Sequence, residues 1–345
     1  MQPTVIDLFA GGGLMGHGFA QAGFRIACSV DNDANSVKFH KLNFPNVPII
    51  MGDVRSLSGN GIRQVAKVGD AAIDVLIGGP PCQPFSCQGL QAKGDRRRTL
   101  VAEYVRLVGE LQPRFFVMEN VKGLTNDNNR PVLDEAIAGL KEHGYQITPW
   151  RVLDAQHYGV AQHRERLFLL GARRGEPMLS YPDPTHERVT CQDVLEDLLD
   201  REFAETLSGS ELVDHKPEVA KRYGDLEQGK RGVGKLTKLR PDGVAPTQTA
   251  GTQTSRAKGM GRYTPRRPIH YYVDPNGLGR VCTPREIARL QGVGDDIELL
   301  KSKASSVTIL GNSVPPPLAK AVAAKVMEAI QKKDARKLRS IRRAA

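Results

Sequence analysis

"TVIDLFAGGGLMGHGFAQAGFRIACSVD", residues 4–31, is the stretch from which the fold can be read. TVIDLFA has the β-branched, apolar make-up of a buried strand, GHGFAQAGF after the glycines reads as a helix, and RIACSVD reads as a second strand. A strand, a crossover helix and a strand make a βαβ unit, and such units build parallel sheets. Gly11, Gly13 and Gly16 form G-x-G-x-x-G between strand and helix, with Asp31 twenty residues beyond Gly11. Glycines there let a ligand approach the backbone, and a carboxylate at the end of the second strand accepts hydrogen bonds from ribose hydroxyls. NAD and S-adenosylmethionine both present that adenosine, so both fit. A turn that merely packs helix on strand would carry the same glycines.

The alternation continues outward from this unit. ANSVKFHKLNF, RRTLVAEYVRLVGEL and RPVLDEAIAGLKEHGY read as helices, the last ended by Gly144, while VPIIMGDV, AIDVLIGG, FFVMENV and RLFLLGAR read as strands. The expected fold is therefore α/β, a doubly wound, mostly parallel sheet. After about residue 173 the pattern fails: 174–280 is rich in Pro, Gly, Thr and charge, with VTCQDVLEDLL and PEVAKRYGDL as its helix-like stretches. TPREIARLQG and PPPLAKAVAAKVMEAIQKK restore helical periodicity. The expectation is a catalytic domain over 1–173, completed by 303–331, a second, smaller, irregular domain over 174–302, and a basic tail over 332–345.

Composition narrows the function classes. A chain of 345 residues with 40% hydrophobic and 25% charged residues can bury a core, and it contains no apolar run of membrane-spanning length. The N-terminus lacks a basic n-region and a cleavage site, so a cytoplasmic location and no membrane partner are expected. Five cysteines, odd in number and without a CxxC pair, and eight histidines without ligand spacing argue against disulfides and metal. The net charge of +11 favours a polyanionic partner. That charge is unevenly spread: 176–227 carries −9, 228–267 carries +9 and 332–345 carries +6. Lys235, Lys238 and Arg240, along KLTKLR beside glycines, are the expected phosphate contacts, with Asp242 an alternative partner for Arg240. The tail reads as solvated or disordered surface.

GGPPCQPFS, residues 78–86, follows the strand-like AIDVLI and places Cys82 in a proline-stiffened loop at the strand's carboxyl end. A nicotinamide enzyme needs no thiol there, whereas methyl transfer to an unactivated ring carbon needs a covalent nucleophile. With this block the chain resembles the C5-cytosine DNA methyltransferases. The similarity runs through DLFAGGG (7–13), GGPPCQPFS (78–86), DRRRTL (95–100), ENV (119–121), YGVAQHRERLFLLG (158–171), APTQT (245–249), TPREIARLQG (283–292) and GNSVPPPLA (311–319), eight blocks in the family's order.

The resemblance implies S-adenosyl-L-methionine as cofactor and double-stranded DNA as partner, with the target cytosine flipped out of the duplex. It implies that Cys82 attacks C6, that Glu119 bonds N3 and the exocyclic amine, that Arg166 holds the carbonyl oxygen and Cys82, and that Arg164 orders the loop. In QHRER, Gln162, Arg164 and Arg166 alternate, so the two arginines are expected on one face of a strand and in need of anionic partners. Phe9 is expected to stack on adenine, Asp53 to accept from its amino group and Asn312 to lie near the methionine moiety. Gly11, Gly13, Asp31, Val54, Pro80 and Ser313 complete the expected cofactor set. Gln83, Ser86 and Thr249 are further expected DNA contacts. Departures from the family pattern are Leu14 for a glycine, Asn32 for an aromatic, Gln248 for isoleucine, and Val293-Gly294 for Phe-Pro. A monomer is expected, and a cognate restriction endonuclease acting separately is left open. The rival readings are a tRNA-acting methyltransferase, disfavoured by the missing CFT signature and the long variable segment, and a DNA-binding protein without catalysis, disfavoured by intact Cys82, Glu119 and Arg166.

Overall fold

The computed structural model describes residues 2–81, 100–185, 188–210, 236–248, 269–273 and 279–344, with the backbone alone at 201, 236–238, 269–273, 279–280 and 337–344. Strand β1 (Thr4–Leu8) lies between β2 (Arg25–Asp31) and β4 (Val75–Gly78), parallel to both. β3 (Ile49–Met51) adds beyond β2, β5 (Phe115–Val121) runs parallel to β4, and β7 (Glu165–Arg173) turns antiparallel against β5. With β6 (Tyr145–Asp154) at the edge, the seven-stranded order is β3-β2-β1-β4-β5-β7-β6. Strand order reverses between β1 and β4, and at such a switch point the crevice beyond the carboxyl ends is where open α/β sheets bind ligands. The glycine-rich turn leaves β1 there and GGPPC leaves β4 there.

Strand alternation divides the covering helices. Ile6, Leu8, Val30, Leu76, Phe116, Met118, Leu167 and Leu169 pack in one core with residues of α3 (Gly59–Ala66), α4 (Leu100–Leu111) and α5 (Arg130–Glu142). Asp7 and Ser29 belong to the other face, with α1 (Leu14–Gln21) and α2 (Ala34–Asn43). A Cβ on Gly16 of α1 would fall 2.9 Å from the Asp7 carboxylate, and His40 Nε2 of α2 lies 3.0 Å from Ser29 Oγ. Asp33 caps α2 and Ser58 caps α3, each accepting a backbone N–H three residues on. A long final helix, α10 (Pro316–Ala344), brings Met327 against the turn at Gly23.

The chain divides into two compact units: Met1–Leu153, Glu165–Asp183 and Ala319–Ala345 form the first, Asp154–Arg164 and Pro184–Leu318 the second. These boundaries differ from the division read from sequence. Residues 303–318 cluster with the second unit because α9 (Lys303–Asn312) packs on α8 (Pro284–Leu290). Residues 154–164 join it because Gln162 bridges Ala245. The basic end is also more regular than expected: it continues α10 as helix to Ala344.

Two short helices, α6 (Cys191–Leu195) and α7 (Arg201–Glu205), and a small sheet of β8 (Leu236–Lys238), β9 (Ile269–Val273) and β10 (Gly279–Val281) also belong to the second unit. α8 starts with a capping box, Thr283 and Glu286 exchanging hydrogen bonds, and Pro284 in its first turn. Its fully buried Arg285 gathers the carbonyls of Ser208, Gly294 and Ile297. The helix expected at PEVAKRYGDL lies outside the described residues. Among the described residues no helix is long and apolar enough to cross a membrane, and no cluster of His, Cys, Asp and Glu has the make-up of a metal site.

Candidate active site

Gly78 ends β4 in register with Leu8 and Met118, so Glu119 and Asn120 of β5 extend past the point where the chain turns through Gly79 and Pro80. The Glu119 carboxylate lies against that turn: a Cβ on Gly79 would fall 2.8 Å from Oε2. Asn120 Nδ2 donates to the Pro80 carbonyl at 2.7 Å. Pro80 and Pro81 have no N–H, so backbone donors cannot tie the turn down, and the Asn120 amide supplies a hold two residues before Cys82. Cys82, Gln83 and Ser86 lie outside the described residues. Sequence reading missed Asn120 and Gly79 as site residues, although both belong to blocks it had singled out.

Arg166 stands opposite Val121 on the β5–β7 pair and Phe168 stands opposite Glu119, which makes Arg166 and Glu119 diagonal neighbours on one face. Arg166 Nε reaches Glu119 Oε1 at 2.9 Å, both side chains being 10% exposed. Burial pulls the Arg166 guanidinium below its ordinary range while Glu119 opposes that shift. A second guanidinium nitrogen donates to the Glu165 carbonyl at 2.8 Å. A fixed carboxylate beside a fixed guanidinium offers an acceptor and donors in one small area, the complement of a planar ring that carries an amine and a carbonyl.

The expectation that Arg164 and Arg166 share one strand face is corrected. β7 begins at Glu165, because Asp154 Oδ1 takes the Arg164 N–H at 2.9 Å and the chain at Gln162 is bridged to Ala245. Fully buried Arg164 donates to three backbone carbonyls: Gln248 O at 2.7 Å, Gly311 O at 2.7 Å and Ser313 O at 2.6 Å. It ties its own segment to the APTQT and GNSV blocks within the second unit. Asp154, which the sequence reading passed over, also takes His163 Nδ1 at 2.5 Å.

At the carboxyl ends of β1 and β2, Asp31 ties the expected cofactor residues together. Its carboxylate accepts from Gly11 N at 2.7 Å and Asp33 N at 2.9 Å, and its carbonyl accepts from Gly52 N at 3.0 Å. Burial raises Asp31 above the ordinary carboxylate range against the pull of those N–H groups. Gly11 has φ +56° with nothing within 4 Å of an added Cβ, which leaves its backbone open to a ligand. Phe9 holds φ 56°, rare for an aromatic residue, and Gly13 holds φ 83° at the start of α1, close against His40. An open glycine turn, a carboxylate anchored at the second strand's end and a partly buried aromatic ring fit an adenosine group. Asp53 caps the 3-10 turn Val54–Ser56 and is gripped by Arg55, which pushes its carboxyl down to about 2. Val54 is buried.

In the second unit, Asn312 is exposed at the end of α9, and Ser313 Oγ donates to Ile309 O at 2.7 Å. Arg240 takes the alternative partner, Asp242 Oδ2, at 3.0 Å. Lys238 lies on β8, where the backbone alone is described, and Lys235 and Thr249 lie outside the described residues.

Comparison with known proteins identifies the family and the fold. The C-5 cytosine-specific DNA methylase family matches residues 3–328. The Type II methyltransferase M.XorII of Xanthomonas oryzae pv. oryzae is 38% identical over 96% of this chain and 86% of its own length. M.HpaII of Haemophilus parainfluenzae, also a Type II methyltransferase, is 29% identical over 94% of this chain and 89% of its own. Among solved structures, a prophage-encoded DNA modification methyltransferase of E. coli superposes with a TM-score of 0.78 and 29% identity, covering 96% of this chain and all of that one. The S. pombe Dnmt2 methyltransferase shares the fold, with a TM-score of 0.62 at 18% identity over 95% of this chain and 99% of that one.

Proposed function

The chain belongs to the C-5 cytosine-specific DNA methylase family, and on that premise we propose that Cys82 is its nucleophile, that Glu119 and Arg166 hold the target base, and that the carboxyl edge of β1–β3 holds the cofactor. The enzyme is an S-adenosylmethionine-dependent DNA (cytosine-5-)-methyltransferase. The observation that carries the residue assignment is the Glu119–Arg166 pair, buried at 2.9 Å beside the Gly79–Pro80 turn that leads into Cys82.

Cytosine C5 is a poor nucleophile, so the Cys82 thiolate first bonds to C6 and pushes electron density onto C5. Glu119 meets the N3 and amine edge, and Arg166 donates to the carbonyl oxygen, where negative charge develops as the thiolate adds. Because both groups are already paired and buried, they need little reorganisation when the base arrives. S-adenosylmethionine, when bound, supplies an electrophilic methyl group. After methylation a base takes the C5 proton, the electron pair of that C–H bond re-forms the C5–C6 double bond, and the sulfur–C6 bond breaks with its pair returning to sulfur, which regenerates the Cys82 thiolate. Arg164 is a positioning residue that orders the segment leading into Arg166.

Asp31 would take the ribose hydroxyls, Phe9 the adenine face, Asp53 the adenine amine and Val54 its edge, with Gly11, Gly13 and Pro80 giving backbone access. Double-stranded DNA is the substrate on this reading. Gln83, Ser86 and Thr249 contact the target region and Lys235 and Lys238 the phosphates, while Arg240 is held by Asp242. The test is incubation of duplex DNA with the protein and S-adenosylmethionine, followed by bisulfite sequencing. Protected cytosines in one sequence context support the reading, and a Cys82→Ala protein that still protects them refutes the nucleophile.

A further inference from the structure

We propose that the C-terminal part of α10, residues 332–344, is a second DNA-binding surface on the sheet edge opposite the active site. Apolar residues of α10 are buried as far as Ile330, and the helix then continues for fourteen residues to Ala344. Residues 332–345 hold seven Lys/Arg and a single acid, Asp334.

Its place in the first unit is fixed by contacts at the amino ends of the parallel strands. Arg114, the residue before β5, bonds Asp74 Oδ1 at 2.9 Å and Glu176 Oε2 at 3.1 Å. Asp74 in turn accepts from Thr4 N at the start of β1, at 2.8 Å. Asp334 of α10 joins Arg114 at 3.8 Å, and Lys333 donates to the Gly175 carbonyl. Glu119 lies at the other end of β5. Seven residues at about 3.3 Å each put roughly 20 Å of sheet between the two edges. The basic helix therefore leaves from the edge away from Glu119 and Asp31.

Charge pattern points to the partner. Earlier in α10, Lys325 pairs with Glu328 at 3.0 Å, a stabilising spacing on a helix. Beyond Asp334, Arg336, Lys337, Arg339, Arg342 and Arg343 include the same-sign i,i+3 and i,i+4 pairs 336/339, 339/342 and 339/343, with no acid among residues 335–345. Such pairs weaken a helix unless an external polyanion neutralises them. The duplex that this enzyme modifies is a polyanion always at hand. A duplex held at the opposite edge is a second segment, so the surface acts on search along long DNA and leaves the chemical step alone.

The test uses the full chain with Arg336→Gln, Lys337→Gln, Arg339→Gln, Arg342→Gln and Arg343→Gln together. Binding to random-sequence duplex is followed by anisotropy across a salt series, alongside methyl transfer on long and short DNA at subsaturating and saturating concentration. Each lost phosphate contact lowers the salt slope by about 0.9, so a fall of about 2 to 4.5 is expected. The apparent KM for long DNA should rise at least several-fold, with kcat and cofactor affinity unchanged. An unchanged slope overturns the proposal, as does a variant that loses affinity for vesicles rich in phosphatidylserine but keeps its affinity for DNA. Helix loss without a charge effect is separated by a second variant with lysine at all four arginine positions, which should keep the full slope.

Discussion

Asp7 is a residue whose cost to the fold was hidden until the strands were assembled. It sits on β1 under Gly16, 1% exposed, and burial pushes its carboxyl up to about 8 against the help of the Gly16 N–H. The native state therefore holds a proton that the unfolded chain releases near pH 4. Stability from this group is complete below the unfolded value and is lost as pH rises from about 4 through about 8, because the unfolded state binds fewer protons in that window. Asp31 is raised in the same direction and adds to the trend. Asp7→Asn should be more stable relative to wild type at about pH 8.5 than at about pH 5.5 in urea unfolding, and parallel pH profiles would contradict the assignment. Asp31→Ala should weaken S-adenosylmethionine and its demethylated product alike by about 1.5–3 kcal/mol in calorimetry, through loss of charge-assisted hydrogen bonds to ribose. Comparable or tighter binding of NAD would contradict it.

At the scale of elements, the turn after β4 works only if its residues leave room for β5. Gly79→Ala would drive a methyl group into Glu119 Oε2, so single-turnover methyl transfer should fall about 100-fold, the scale of an ångström-sized misplacement, with cofactor affinity unchanged. Asn120→Ala frees the Pro80 carbonyl and should act in the same direction. Unaltered single-turnover rates in both variants would mean that the turn does not position Cys82. The elements themselves were legible where an apolar run is bounded by turn residues, as in β1, β2, β4, β5 and β7. β6 was not, because YQITPWRVLD has no continuous apolar run and carries a proline, as an edge strand tolerates. α3 begins Gly-Asn-Gly, a weak helix signal rescued by the Ser58 cap and by burial of Ile62 and Ala66. The period-2 reading of QHRER failed because it assumed a strand through Arg164, and the contact that ends the strand comes from Asp154, ten residues away. The Asn120–Pro80 grip spans forty residues, so no local pattern could announce it. The ordered blocks, by contrast, marked the family directly, and the family model matches residues 3–328.

Across the whole molecule, buried arginines organise the second unit where apolar residues are fewer. Arg164→Ala leaves the carbonyls of Gln248, Gly311 and Ser313 without their donor and should cost about 3 kcal/mol or more of stability. Arg164→Lys should recover little of it, because an ammonium lacks the guanidinium fork. Urea unfolding checks both, and a loss below about 0.5 kcal/mol, typical of a surface change, would remove the clamp from the account. The central claim is that Cys82 forms a covalent bond to the base, and its most direct measurement is trapping on duplex DNA containing 5-fluorocytosine in the presence of S-adenosylmethionine. Fluorine at C5 cannot leave as a proton does, so the wild-type protein should yield a denaturation-resistant adduct whose cross-linked peptide contains Cys82, and Cys82→Ser should yield none. An adduct of undiminished yield in Cys82→Ser would contradict the account.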